Sequence, residues 1–421
     1  MMVDLDWPEG YLSFQKDRIV SNTRLSKASI DKGLSKFILT RIFTGQKWRP
    51  LYRDGFPREI DPSSGRHMST KTLADVVESL IGAAFYEGGV PKALECISLF
   101  VDEFPSQDLN EGRTSLSNHV ASDVQLPRRL KALEKLIGYE FEKKAMLIEA
   151  MTHGSVAEGT VRPYERLEFL GDAILDKIIV TRLFRVTPPL AHHQMHTLKT
   201  AMVNGDFLAF IAMNHGIVVD QAVGMSKTAS DPTVEIESQF LALWNFMQFD
   251  SMQLGFDRFK TAERFGRLQG PTVKAIESGT HYPWALLAGL QAKKFYSDLF
   301  EALLGAVWID SGSLQICEDV LDKFGILPYL ERILRENVHV QHPKEELGRL
   351  AGQDKVIYNV IFRDTLESEQ EYCCNVVVGD RLVIEMSGGV GKEEVQTKAA
   401  EAAVAILSEE MRVRLNGAVS T

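Results

Sequence analysis

"YERLEFLGDAILD", residues 164–176, sets Glu165, Glu168, Asp172 and Asp176 among Leu, Phe, Ile and Ala. Steps of three, four and four residues put these carboxylates on one stripe of a helix. Leu167, Leu170, Ala173 and Ile174 take the neighbouring faces. Like charges one turn apart repel, so such a helix needs a compensating cation. A second acidic stripe, Asp298 and Glu301, lies in "DLFEALLGAVW", whose other positions are nearly all apolar. Unpaired carboxylates buried there would be costly. A divalent cation between the stripes removes the conflict. Oxygen donors without a His or Cys cluster favour magnesium or manganese over zinc.

An acidic stripe is more often only the solvated face of a helix. The repetition of the chain argues against that here. "KTLADVVESLIGAAFYEGG" begins at Lys71 and "KFYSDLFEALLGAVWIDSG" at Lys294. Lys71, Asp75, Glu78, Leu80, Gly82, Ala83 and Gly89 match Lys294, Asp298, Glu301, Leu303, Gly305, Ala306 and Gly312 without a gap. "RIVSNTRLSKA" around Asn22 weakly matches "TAMVNGDFLAF" around Asn204. Two copies of one domain therefore lie in tandem.

The 421 residues suffice for two or three domains, and 45% hydrophobic with 25% charged residues describes an ordinary globular protein. The opening "MMVDLDWPEG" is acidic and is not a signal peptide. No apolar run reaches the length of a membrane span, so no membrane partner is expected. The four cysteines lack metal-site spacing, which points to a reducing compartment, cytoplasm or nucleus. A net charge of -10 argues against a surface coated for tight nucleic-acid binding. It does not argue against an enzyme that gathers carboxylates around cations.

The expected organisation is a first copy over 1–104, a polar, aperiodic linker over 105–126, a second copy over 127–335, and a third domain over 341–415. Asn22 to Asp75 is 53 residues and Asn204 to Asp298 is 94, so the second copy carries about 41 more. The insertion is placed near 220–290 and expected to be a helical excursion with polar loops. Both copies show helical periodicity. The third domain reads as α-β-β-β-α: "HPKEELGRLAG", then "VIYNVIFRD", "EYCCNVVVGD" and "RLVIEMSGG", then an Ala-rich helix opening "KEEVQTKAAEAA".

"ERLEFLGDAIL" resembles the signature of the ribonuclease III family. "MTHGS" at 151–155 resembles the element preceding it, and the Lys294 segment resembles that family's second acidic helix. Two such domains before a small α-β-β-β-α domain resemble the C-terminal part of Dicer, especially of fungal Dicer-like proteins. The resemblance implies a mainly α fold: tandem all-helical ribonuclease III domains, then a domain like those that bind double-stranded RNA. It implies a hydrolase, an endonuclease that cuts double-stranded RNA with magnesium or manganese in RNA processing and RNA interference. It places the metal-site acids on Glu168, Asp172, Asp298 and Glu301, with Glu165 as a supporting acid. Lys294 would contact the scissile phosphate or, alternatively, neutralise the acids. His153 could act as a base, although a structural role is the simpler reading. The two copies would pair within the chain, and RNA-silencing proteins are possible partners.

Two departures from the family pattern stand out. In the first copy only Lys71, Asp75 and Glu78 have counterparts; the spacing from Asn204 back to Asp172 places the missing acids before Met1. An incomplete first domain, and a single competent site, are therefore expected. In the third domain the resemblance implies a lysine-rich start to the last helix. Lys392 and Lys398 remain, but Glu393 and Gln396 stand where lysines are expected. Residues 341–421 hold 9 Lys and Arg against 14 Asp and Glu, so RNA contact there is expected to be weak. The alternatives are a non-catalytic ribonuclease III-fold component of a ribonucleoprotein, or an inactive Dicer fragment.

Overall fold

The computed structural model describes residues 7–38, 68–102, 109–121, 124–157, 161–226, 233–363 and 371–418. The chain divides into two units, 1–119 and 120–421. In the first unit lie α1 (Glu9–Val20), α2 (Asn22–Asp31), α3 (Thr70–Ser98) and α4 (Leu109–Asn118). Ser21 and Ser69 cap α2 and α3 by accepting the backbone N–H of Arg24 and Thr72. Leu25 of α2 packs on Ala74 and Val77 of α3. Helix α3 kinks at Gly88 and Gly89, where Gly89 has φ +66° and Pro91 follows. The stretch expected as an aperiodic linker contains α4.

The second unit opens with α5 (Leu130–Ile137), α6 (Lys144–Ala150), α7 (Glu165–Phe184), α8 (His192–Met202) and α9 (Gly205–Asn214). Strands β1 (Gly216–Ser226) and β2 (Thr233–Ala242) follow. Then come α10 (Met252–Ser278), α11 (Trp284–Gly289), α12 (Phe295–Ser311), α13 (Leu314–Lys323) and α14 (Ile326–Glu336). Helix α12 is the centre: every residue from Phe295 to Val307 is buried. A helix apolar almost all round can sit only inside a core, and α6, α7, α9 and α13 surround it. At its far end Asp310 accepts the Tyr139 hydroxyl at 2.7 Å and the backbone N–H of Glu142 and Lys143 at 2.8 and 3.0 Å. That carboxylate ties the turn between α5 and α6 to α12.

The insertion corrects the expectation of a helical excursion. Its first part is an antiparallel hairpin, Gly216 opposite Ala242, and only then comes the long helix α10. The period-two alternation of Val234, Ile236 and Phe240 in "TVEIESQF" favours a strand. The second copy is thus mostly, not wholly, helical.

The last domain has the expected order, α15 (Pro343–Ala351), β3 (Val356–Arg363), β4 (Glu371–Val378), β5 (Arg381–Gly389) and α16 (Lys392–Ala418). The sheet is antiparallel in the order β3-β4-β5. Leu347, Cys374, Val376, Val395, Ala399, Ala400 and Ala403 form its core. Among the described residues no helix is long and apolar enough to cross a membrane.

Candidate active site

Helices α7 and α12 cross at two glycines. A Cβ on Gly171 would lie 1.8 Å from the Glu301 carbonyl oxygen, and one on Gly305 would lie 2.2 Å from that of Leu167. Without side chains there, the two backbones touch. Acids about one turn from the crossing then face each other: Glu168 from α7, Asp298 and Glu301 from α12. Their ligand atoms lie within 4.8 Å of one another, and they form the one such group of His, Cys, Asp and Glu among the described residues.

Lys294, the N-cap of α12, places Nζ 3.0 Å from Glu168 Oε1 and 2.9 Å from Asp298 Oδ1. The two acid side chains are 14% and 11% exposed, the lysine 75%. Burial pushes the Asp298 carboxyl up to about 6, against the pull of Lys294. Burial, then the charges of Asp172, Asp298 and Glu168, push Glu301 up to about 8. Burial opposes the charge of Lys294, yet its hydrogen bonds to Asp298 and Glu168 raise its pKa. One ammonium faces three carboxylates. That donor set, all oxygen and short of positive charge, fits a hard divalent cation.

The remaining expected residues sit around this group. Asp172 is half-buried and close enough for its charge to raise Glu301, but it is outside the three-carboxylate group. Asp176 pairs with Lys199 at 2.7 Å. Glu165, at the start of α7, is also outside the group; its Oε1 lies 2.5 Å from where a Cβ on Gly154 would be. The glycine of "MTHGS" thus makes room for it. His153 accepts the Ser155 N–H at Nδ1, 2.9 Å, and sets its ring edge-on to Tyr164 and Phe295. Burial lowers its pKa, with the Glu165 charge opposing. Its backbone N–H donates to the Gln248 carbonyl, and the Tyr164 N–H donates to Thr152, so this loop stitches α7 to the segment between the hairpin and α10.

In the first copy Lys71 pairs with Asp75 at 2.9 Å, both solvent-accessible, and Glu78 is exposed. Among the described residues nothing lies within 4 Å of a Cβ built on Gly82. In the last domain Lys392 is exposed and Lys398 pairs with Glu394. Lys344 of α15 reaches Glu393 at 2.7 Å and Gln396 at 2.9 Å, the two positions expected to be lysines.

The raised carboxyls give a stability prediction with a definite sign. Their neutral forms suit the folded state, so the stability they contribute is present below the ordinary values of 3.8 and 4.5. It is lost as pH rises through about 6 and about 8. Glu149, pushed up to about 7 by burial, acts in the same direction. With chelator present, melting is expected to fall from pH 7 to pH 8.5. Magnesium is expected to reverse most of that loss at pH 8.5, since it binds the ionised acids. A metal-free protein that melts higher at pH 8.5 would refute the assignment of strain to this group.

The family model described as Ribonuclease III domain matches residues 3–89 and 165–312. The one described as Dicer-like protein 2, dsRNA binding domain, matches residues 336–419. Dicer-like protein 2 of Cryphonectria parasitica is 45% identical over 96% of this chain and 29% of its own length. Dicer-like protein 2 of Pyricularia oryzae is 43% identical over 94% of the chain and 28% of its own length. The chain therefore spans under a third of the length of these relatives. Among solved structures, the nuclease domain of a Campylobacter jejuni ribonuclease III aligns over 47% of this chain and 96% of its own, at 22% identity and a TM-score of 0.30. With the first match alone extending over more than half of its residues, the chain belongs to the ribonuclease III family.

Proposed function

We propose that this chain is a divalent-metal-dependent endoribonuclease that hydrolyses double-stranded RNA. The observation that carries the proposal is the group of Glu168, Asp298 and Glu301, three carboxylates within 4.8 Å at a backbone-to-backbone helix crossing. Those three side chains would hold magnesium or manganese, with Asp172 next to them. When bound, such an ion supplies charge neutralisation at the phosphoryl group and activation of water. Lys294 adds a fixed positive charge on the exposed side of the acids, where a phosphate can approach as to a point charge. The reaction is in-line hydrolysis: a water oxygen bonds to phosphorus as the bond to the leaving oxygen breaks. The His153 loop fixes where α7 begins.

The double-stranded substrate is supported by the match of the last domain to a dsRNA binding domain. Such domains read A-form shape and phosphates rather than base sequence. The organisation we propose keeps the domains at 1–104, 127–335 and 341–415, with the linker at 105–126. The resemblance to Dicer-like proteins motivates a role in gene silencing with silencing proteins as partners, and four free cysteines suit the cytoplasm or nucleus.

The test is a labelled RNA duplex incubated with magnesium, beside the same duplex in chelator and its separated strands. Cleavage of the duplex only, and only with the ion, is expected. A duplex that stays intact with both magnesium and manganese would sink the proposal.

A further inference from the structure

Gln291 has φ +46°, in the left-handed region that a non-glycine residue adopts only under strain. Such a conformation persists only where its surroundings over-determine it. It lies in the five residues between α11 and α12, three positions before Lys294. On one side its side-chain amide donates to the Ala288 carbonyl at 2.7 Å. On the other side is the last domain: a Cβ on Gly391 would fall 2.2 Å from the Gln291 amide. Only a glycine at 391 lets the two segments meet in this way.

The contact extends along α11. The Glu401 carboxylate of α16 accepts the Ala285 backbone N–H. The Glu394 side chain lies beside Gly289, its Cγ in ordinary contact range, 3.7 Å, of a Cβ position there. Trp284 donates from Nε1 to the Val340 carbonyl at 3.0 Å and sets its ring 4.7 Å from that of His342. The opening turns of α16 thus face the nuclease fold, and their acids serve protein contacts where they would repel phosphate. Arg264 of α10 adds one further bond, to the Leu290 carbonyl, at 3.5 Å.

We propose that the last domain positions the turn between α11 and α12, and through it the Lys294–Asp298 half of the acidic group. Its partner is the nuclease fold of its own chain, and Gln291 and Gly391 are the positioning residues. The turn leads directly into Lys294, which bridges Glu168 and Asp298. A shift of its backbone direction moves that ammonium and the first turn of α12 with it.

The test uses the full chain carrying Gly391→Leu, read by amide exchange over residues 285–298 and by manganese titration. A leucine there displaces the Gln291 amide from Ala288. Exchange in 285–298 is expected to speed up and manganese affinity to fall about fivefold, the low end of coupling between sites. Adding Gln291→Gly should recover most of the manganese affinity, because glycine reaches φ +46° without steric cost and leaves room for the leucine. Parent-like exchange and affinity in Gly391→Leu, with residues 395–407 still protected, would overturn the proposal. If that variant loses protection in 395–407, Glu401→Ala, which removes the acceptor of the Ala285 N–H, decides by the same criteria. The manganese arm rests on the active-site reading above, and the exchange arm does not. A parent that binds no manganese counts against that reading. A parent and variant that bind alike counts against the positioning role.

Discussion

Asp298→Asn is expected to slow duplex cleavage about a thousandfold, roughly 4 kcal/mol of transition-state stabilisation, while the fold survives. Asp298 lies in the first turn of α12 with its side chain 11% exposed. Asparagine keeps its shape, so the packing of α12 stands. What goes is the charge that pairs with Lys294 at 2.9 Å and would serve as a cation ligand. Lys294 retains Glu168 at 3.0 Å. Because burial already holds the Asp298 carboxyl up to about 6, a neutral amide removes a desolvation cost. The metal-free variant should therefore melt no lower than the parent near pH 8. Single-turnover cleavage and thermal melting together check this. A variant that cuts within about tenfold of the parent would move the chemistry away from the crossing of α7 and α12.

Gly171→Ala is expected to destabilise the second unit by about 3 kcal/mol, at the upper end of overpacking costs. The added methyl would meet Glu301 backbone atoms at 1.8 and 2.6 Å and the Gly305 nitrogen at 3.0 Å. These atoms belong to a helix that is buried all round and cannot step aside. The two helices must separate, and the carboxylates with them, so cation binding should weaken in parallel. Gly82→Ala is the internal control. It matches Gly305, the other glycine of the crossing, but has nothing within 4 Å among the described residues. There the substitution should be neutral or stabilise by up to about 1 kcal/mol, the ordinary helix preference for alanine. Denaturant midpoints of the three proteins decide it: equal losses for both alanines would mean that the glycines serve the helices alone.

These glycines show where sequence reading stops. The acidic stripes were legible because helical spacing is a local rule, and the repeat marked which stripes mattered. A glycine inside a helix reads only as a local weakness. Its reason here is the backbone of a helix more than a hundred residues away. For the same cause the sequence could not give the distances: Glu168, Asp298 and Glu301 gather within 4.8 Å, and Asp172 adds its charge beside Glu301. The hairpin was legible in principle in "TVEIESQF", but its alternation is short and lies in an insertion without a counterpart in the first copy. Charge at Glu393 and Gln396 was visible, whereas their partner Lys344 comes from α15 and could not be seen without the fold.

The lysine–aspartate pair of the site is also a clue to the order of assembly. Lys294 and Asp298 are one turn apart, and Lys71 and Asp75 form the same pair in α3. A pair of this kind can close as soon as its helix grows, in about a microsecond. The bond from Lys294 to Glu168 spans 126 residues. It must wait until α7 docks on α12, after the chain entropy of a long loop has been lost. In refolding, half of the acidic group therefore comes together early, and the group becomes whole only at the step that brings Gly171 against Gly305.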